Sequence, residues 1–405
     1  MTNWEKYTIG DLCEVGRGSS PRPIIDQRYF KGGTIPWIKI ADATSSGKYI
    51  YETNEHVNEF GASFSRYLDK GSLIIAASGV SLGQIKFLGV KGCIHDGWLY
   101  TSNFKDELIN KEFLYYFLIY YSEGFHNFSS GAAIQNINTD ILRKTIIALP
   151  PISVQETIVS IISAYDDLIE VNNQRIRLLE ETARELYKEW FVRMRFPGYK
   201  KAKFVKGVPE GWEVKRIAEV FDVLGGGTPS TEKPEYWSGN VNWFTPTDIT
   251  GASGIFLSES SNKISEKGLK ESSAKLFPAY SIMMTSRATI GAVGINTTPG
   301  CTNQGFITCL PNKSIPYTFL YFWILLNKEV FEMLGTGSTF LEITKGTFRK
   351  IKMLLPKLDM LNQFHKMSVP MFQQIEIFQE QNTQLRQIRD RLLPRLISGK
   401  LEVKN

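Results

Sequence analysis

Two glycine-rich stretches carry the side chains best suited to ligand chemistry: Gly16-Arg17-Gly18-Ser19-Ser20-Pro21-Arg22-Pro23 and Gly225-Gly226-Gly227-Thr228-Pro229-Ser230-Thr231. Glycine lets backbone N–H groups approach closely, the hydroxyls donate or accept, and the two arginines offer guanidinium forks. That combination suits phosphate oxygens or base edges. A plain surface turn has the same composition. Two further loops come in pairs that differ where their surroundings agree. Ser78-Gly79-Val80-Ser81 answers to Ser286-Arg287-Ala288-Thr289, and Ala132-Ala133-Ile134-Gln135-Asn136 to Ser338-Thr339-Phe340-Leu341-Glu342. Variable polar tips on one scaffold suit two domains reading two different sequences, and simple drift leaves the same pattern.

Enzymatic motifs are missing. There is no amide-Pro-Pro-aromatic tetrapeptide of an amino-methyltransferase, because Leu149-Pro150-Pro151-Ile152 lacks the amide. Gly47-Lys48 and Gly399-Lys400 lack the upstream glycine and the hydroxyl of a phosphate loop. Glu213-Val214-Lys215 has the spacing found in nuclease sites, but it stands alone and reads as a strand edge. Cys13, Cys93, Cys301 and Cys309 show no CxxC spacing and only four histidines accompany them, so the chain reads as reduced, metal-free and cytoplasmic, its paired cysteines as core. No apolar signal core opens the sequence and no run of 18 apolar residues crosses a membrane.

The elements that must position these loops are duplicated. Trp4-Glu5 and Ile9 recur as Trp212-Glu213 and Ile217, Leu82-Gly83 as Ile290-Gly291, and Cys93 and Gly97 as Cys301 and Gly305, all 208 residues apart. An offset of 206 relates Trp37 and Asp42 to Trp243 and Asp248, Gly131 to Gly337, Arg143-Lys144 to Arg349-Lys350, and Leu149-Pro150 to Leu355-Pro356. Order and spacing kept over that distance mark a tandem duplication. Within each unit, β-prone runs such as Ser72–Ala76, Gln84–Leu88 and Ile146–Leu149 alternate with glycine turns, and an aromatic helix over Glu112–Tyr121 matches Tyr317–Leu326.

Each unit ends in a long helix. From Ser153 to about Arg195, residues Ile158, Ile162, Tyr165, Ile169, Asn172, Ile176, Leu179, Ala183, Leu186 and Trp190 alternate steps of four and three, a heptad seam that needs a partner helix. Ser153 and Glu156 have the spacing of a capping box, and at about 1.5 Å per residue the helix is a strut of roughly 60 Å. Met371, Ile375, Phe378, Asn382, Leu385, Leu392 and Leu396 form the second seam, with Ile388 beside the polar Arg389, and Pro370 is expected to kink its first turns. Pairing Asn172 with Asn382 in parallel sets acid against acid. Antiparallel pairing instead sets Asp166, Asp167 and Glu170 beside Arg386, Arg389 and Arg391, and Arg175 and Arg177 near Glu380 and Glu376. The expected fold is therefore α+β: two tandem mixed α/β domains, 1–150 and 197–357 with its lysine-rich linker, each followed by a helix (151–196 and 358–405), the helices forming an antiparallel coiled coil. A net charge of +6, with 19 basic against 13 acidic residues between 197 and 357, permits nucleic-acid binding without requiring it.

Two domains that each open on Trp-Glu and a GRGSSP or GGGTPS loop are followed by Trp-x-x-x-x-Asp segments, Trp37–Asp42 and Trp243–Asp248. With Leu-Pro before each helix, Pro209-Glu210-Gly211-Trp212-Glu213 and the closing Leu393-Pro394-Arg395-Leu396-Ile397-Ser398-Gly399, the whole chain resembles the specificity subunit of type I restriction-modification systems. The resemblance implies two target recognition domains that read the halves of a bipartite DNA site, with the helices setting the spacer. It implies partners as well: double-stranded DNA, two methyltransferase subunits that use S-adenosylmethionine to methylate adenine, and motor-nuclease subunits. The chain itself would hold no cofactor and catalyse nothing. Candidate contacts to bases or phosphates are Arg17, Ser19, Ser20, Arg22, Lys39, Ser78, Ser81 and Gln135, and Thr228, Ser230, Thr231, Thr245, Ser286, Arg287, Thr289 and Thr339. Two other readings fit the residues: a coiled-coil scaffold that binds no DNA, and an autonomous DNA-modifying enzyme.

Overall fold

The computed structural model describes residues 4–44, 46–78, 81–127, 137–337 and 341–403. It divides into two compact units, one of Met1–Glu170 with Thr383–Asn405 and one of Val171–Asn382, so each takes in a part of both long helices.

The first unit holds a five-stranded sheet in the order Glu14–Arg17, Trp98–Ser102, Leu73–Ala76, Ile85–Leu88, Tyr49–Ile50, antiparallel except for its last pair. Its middle strand is buried at every position, which is why Leu73–Ala76 reads as an unbroken apolar run. A four-stranded sheet orders His56–Val57, Ile35–Ile38, Gly92–Ile94 and Arg66–Leu68. A two-stranded ribbon closes the unit, Glu5 opposite Leu149 and Thr8 opposite Ile146. The second unit repeats the plan. Asp222–Gly225, Phe306–Leu310, Ile282–Thr285, Val293–Asn296 and Phe256–Leu257 form its five-stranded sheet, and Asn262–Ile264, Val241–Phe244 and Gly300–Thr302 its smaller one. Its ribbon pairs Glu213 with Leu355. The recurring Trp-Glu and Leu-Pro are thus register partners, which explains why the duplication keeps both. Cys93 and Cys301 lie on equivalent strands with no exposure, and burial pushes their thiols up to about 11 and about 12. The linker between the domains folds into a small hairpin, Phe204–Val205 with Val208–Pro209, turned by Lys206 and Gly207 at positive φ.

The first long helix runs Ile152–Tyr187 and continues as a π turn over Lys188–Val192, which buries both Trp190 and Phe191. It starts one residue ahead of the expected cap: the Pro151 carbonyl accepts from the N–H groups of Val154 and Gln155 at 2.9 and 3.0 Å, so Ser153 lies inside the first turn. Buried Gln155 anchors that turn by donating to the carbonyls of Leu108 and Pro150 and accepting from the Asn110 N–H, each at 2.9 Å. All ten seam positions are buried or half-buried. The second long helix runs Leu358–Ile397, with no break assigned at Pro370. In the second unit Asn172 donates to Asn382 at 3.1 Å, Arg175 covers Phe378, and Trp190 meets Phe364, a descending register that makes the pair antiparallel. In the first unit Arg389 pairs with Asp166 at 2.6 Å while Ile388 stays 44% exposed, so the arginine and not the isoleucine occupies the seam. No described helix is long and apolar enough to cross a membrane.

Candidate nucleic-acid interface

In each unit several of the candidate residues lie at or beside one tight turn between two strands. In the first it is His95-Asp96-Gly97. The His95 imidazole accepts from the Gly97 N–H at 2.9 Å, and the His95 N–H donates to the Ile38 carbonyl at 3.0 Å, which brings Lys39 alongside. Arg17 Nε donates to the Asp96 carbonyl at 2.8 Å, the Asp96 N–H donates to Ser20 Oγ at 3.2 Å, and Arg22 makes an ion pair with the Asp96 carboxylate. Ala77, next to Ser78, donates to the Gly97 carbonyl at 3.0 Å. Arg17, Ser19 and Arg22 remain exposed, and Lys39 reaches Glu55 at 2.5 Å across the Trp37 ring. Burial, helped by Lys39 and Arg22 and opposed by Asp96, holds His95 below its ordinary value, so the imidazole is neutral at pH 7.

The second unit builds the same hub from Thr302–Gly305. Asn303 Oδ1 takes the place of the His95 nitrogen and accepts from the Gly305 N–H at 2.9 Å. Gly227 donates to the Thr302 carbonyl at 2.9 Å, Asn303 to the Phe244 carbonyl beside Thr245 at 3.0 Å, and Ser286 to the Gly305 carbonyl at 2.8 Å. The Thr228 hydroxyl donates to Gln304 Oε1. Arg287 is exposed and forms an ion pair with Glu342 at 3.0 Å. Thr245 is committed locally: its N–H and hydroxyl both donate to Asp248 at 2.7 Å, and Ser261 donates to the other carboxylate oxygen at 2.9 Å. Burial pushes the Asp248 carboxyl up, but these hydrogen bonds outweigh it and hold the group below the usual range. Asp42 does the corresponding work for Lys39 and Asn54. The spacing of Trp-x-x-x-x-Asp thus serves to fix the backbone beside each hub.

Two glycines explain the glycine-rich loops. A Cβ at Gly18 would stand 2.1 Å from the His95 carbonyl oxygen, and one at Gly226 would stand 1.9 Å from that of Asn303. The loops can lie against the hub only because these positions lack side chains.

Ser230 and Thr231 are exposed on the second loop, and Thr289 is exposed beyond Arg287. Ser81 is half-buried, and its carbonyl turns the chain by accepting from Gln84 at 2.9 Å. Ser286 is only 2% exposed, its backbone spent on Gly305 and Ile343. Gln135 and Thr339 lie outside the described residues. The hub residues themselves, His95, Asp96, Asn303 and Gln304, did not emerge from composition. The only mark they leave in the sequence is the recurrence of Gly97 as Gly305, which by itself signals the duplication and not a site.

The type I restriction modification DNA specificity domain family matches residues 1–181 and again 209–386. The chain is similar to the type I restriction enzyme MjaIX specificity subunit of Methanocaldococcus jannaschii, 27% identical over 99% of this chain and 94% of that protein. It is also similar to the HindI specificity subunit of Haemophilus influenzae, 23% identical over 99% of this chain and the whole of that protein. Its fold is shared with a crystal structure of a type I restriction-modification S subunit from M. genitalium, at TM-score 0.59 and 16% identity, covering 97% of this chain and 96% of that one. With two matched domains and full-length likeness to these subunits, the chain belongs to the type I restriction-modification DNA specificity family.

Proposed function

We propose that each unit reads one half of a bipartite DNA target through the loops around its hub turn, and that the chain catalyses nothing itself. The observation that carries this reading is a shared hub with different tips: His95 and Asp96 in the first unit stand where Asn303 and Gln304 stand in the second. One backbone solution holding two sets of polar side chains suits two docking events of the same geometry on two different sequences. The exposed arginines, hydroxyls and Lys39 supply contacts to phosphates or bases. The antiparallel helices serve as the ruler for the unspecified spacer, and half-sites one helical turn apart lie about 34 Å from each other. The partners directed to the site are methyltransferase subunits that transfer a methyl group from S-adenosylmethionine to adenine, and restriction subunits that cut unmodified DNA. Methylation requires the target base to leave the stack, so the recognition domains also grip a distorted duplex.

A genome-wide map of methylated adenines in the source cell, with the gene intact and deleted, tests this. One split motif with a fixed gap is expected to lose its methylation on deletion. A chain that shifts no DNA even with its partners would be a scaffold, and methylation or cleavage by the chain alone would make it an enzyme. Removing seven residues from each long helix keeps both seams in register and is expected to shorten the gap. An unchanged gap would sink the ruler.

A further inference from the structure

We propose that Glu342 is a positioning residue that holds Arg287 for bidentate reading of one guanine in the half-site taken by the second unit. The inference rests on the DNA-recognition reading above and adds to it a base and a second side chain.

The pair is rooted in backbone before any side chain acts. Arg287 and Glu342 face each other across an antiparallel bridge, and the flanking bonds run from Ala288 N–H to the Leu341 carbonyl at 3.1 Å and from Ile343 N–H to the Ser286 carbonyl at 3.0 Å. On its other side Glu342 exchanges both backbone hydrogen bonds with Thr336 at 2.9 Å. The carboxylate is therefore carried on a segment fixed from two directions. It is also tied to the hub, because Ser286, next to Arg287, donates to Gly305.

Arg287 Nε and Nη2 both donate to the same oxygen, Oε2, at 3.1 and 3.0 Å. This uses one edge of the guanidinium. Nη1 and the outer hydrogen of Nη2 remain as two parallel donors, the pattern that matches O6 and N7 of guanine in the major groove. A free arginine samples many rotamers and must be ordered on binding, whereas this one is held beforehand.

Charge separates a base reader from a phosphate clamp. With a carboxylate at 3.0 Å, Arg287 offers a phosphate little net charge and releases few counterions. The cost of keeping an acid next to DNA is offset only if the arginine must point in one direction. The first unit reaches a similar pairing by another route, Arg22 with Asp96, at positions that answer to Ser230 and Gln304.

The test uses chromosomal Glu342→Gln, Glu342→Asp, Arg287→Lys and Arg287→Ala variants in the source cell, read by methylation maps, and the purified full chains binding a non-cognate duplex over a range of salt. Glu342→Gln is expected to relax one guanine position of one half-site by roughly tenfold, leave the other half-site intact, and tighten non-cognate binding severalfold with a steeper salt dependence. Glu342→Asp keeps part of the preference. Arg287→Lys and Arg287→Ala lose the same position, since a lysine keeps charge but not the fork. Weaker non-cognate binding together with loss of the whole half-site in Glu342→Gln would assign Glu342 to the fold and overturn the inference. So would relaxation at a base other than guanine, or at none. If the parent chain yields no split motif, the DNA-recognition reading itself falls and takes this inference with it.

Discussion

The two units attach their domains to the long helices with opposite chemistry at equivalent positions. In the first, the Tyr116 hydroxyl donates to Asp166 at 2.7 Å and Arg389 donates to the other oxygen of that carboxylate at 2.6 Å. In the second, 206 residues on, Phe322 and Phe372 stand in place of Tyr116 and Asp166, with ring centroids 5.6 Å apart at 84°. The contrast extends outward. Lys48, with a side chain 13% exposed, meets Glu112 at 2.8 Å and sits 5.2–5.8 Å from the rings of Tyr49, Phe87, Tyr115 and Tyr116. Strand register puts Ile255 at that place in the second unit, next to Phe256, which with Tyr321, Phe322 and Phe372 forms an aromatic cluster. Duplication thus preserved the backbone plan and left the means of attachment free to diverge. An aromatic cluster holds through area and edge-to-face contacts spread over many atoms. A charged network holds through a few bonds, each of which strands its partners if removed.

The largest expected effect lies on the aromatic side. Phe372 is 1% exposed and meets Tyr317, Tyr321 and Phe322 edge-on, so Phe372→Ala should cost about 3–5 kcal/mol in urea unfolding. A loss below about 1 kcal/mol would mean that the cluster repacks and the contrast is overstated. Asp166→Ala comes next, at about 2–3 kcal/mol, because it strands the buried Tyr116 hydroxyl and leaves Arg389 with Asp390 as its remaining carboxylate partner in a partly exposed site. Converting the network as a whole, with Tyr116→Phe, Asp166→Leu and Arg389→Leu, should restore stability to within about 1 kcal/mol of the parent. If the triple variant is no better than Asp166→Ala, the polar attachment has a role that apolar packing cannot replace.

These contrasts also mark what could be read from the sequence. The duplication and the antiparallel pairing of the helices were legible, because both are carried by spacing: Asp166 with Arg389 and Asn172 with Asn382 follow from heptads and charge sign alone. The glycine-rich loops were legible as candidates from composition, glycines set among hydroxyls and, in the first, two arginines. The hub turns were not, since a turn becomes a hub only when strands distant in sequence deliver Ile38, Ala77 and Ser20 to it. The helix start at Ile152 was hidden by the Ser153–Glu156 spacing, which loses to a Pro151 carbonyl already placed by the preceding strand. Tyr116 and Phe322 look interchangeable along the chain. Only the residue opposite each one, Asp166 or Phe372, tells them apart.

A smaller difference should appear on acidification. His365 ends its side chain at Thr318, with Nδ1 3.0 Å from the hydroxyl, and faces the Tyr317 ring; the position 206 residues earlier is Val159, which cannot titrate. Burial holds the His365 imidazole below 6.5. The unfolded chain then binds the proton more readily than the folded one, so the contribution is complete above about pH 6.5 and is lost as pH falls through the folded value. His365→Asn should flatten urea midpoints between pH 7 and pH 5 relative to the parent. An unchanged slope would assign the acid sensitivity to other groups, His95 among them.

The smallest effect concerns the asparagines, where the seam carries polarity inside the second unit. Asn172 and Asn382 are 0% and 2% exposed; Asn382 also donates to Asn173 at 2.9 Å, while Asn172 Oδ1 has no hydrogen-bond partner among the described residues. An unsatisfied buried oxygen costs stability, so replacing both asparagines by leucine should leave urea unfolding within about 1 kcal/mol of the parent or raise it. The pair's value would then lie in register. An all-apolar seam can slide by a heptad, and a slip would move Arg389 away from Asp166 and Phe364 away from Trp190. Cysteines introduced in place of Leu179 and Ile375, which fall opposite each other when the register of Asn172 with Asn382 and Trp190 with Phe364 is continued between them, should form a disulfide efficiently in the parent and less so in the leucine variant. Equal yields would show that the charged network in one unit and the aromatic cluster in the other already hold the register without the asparagines.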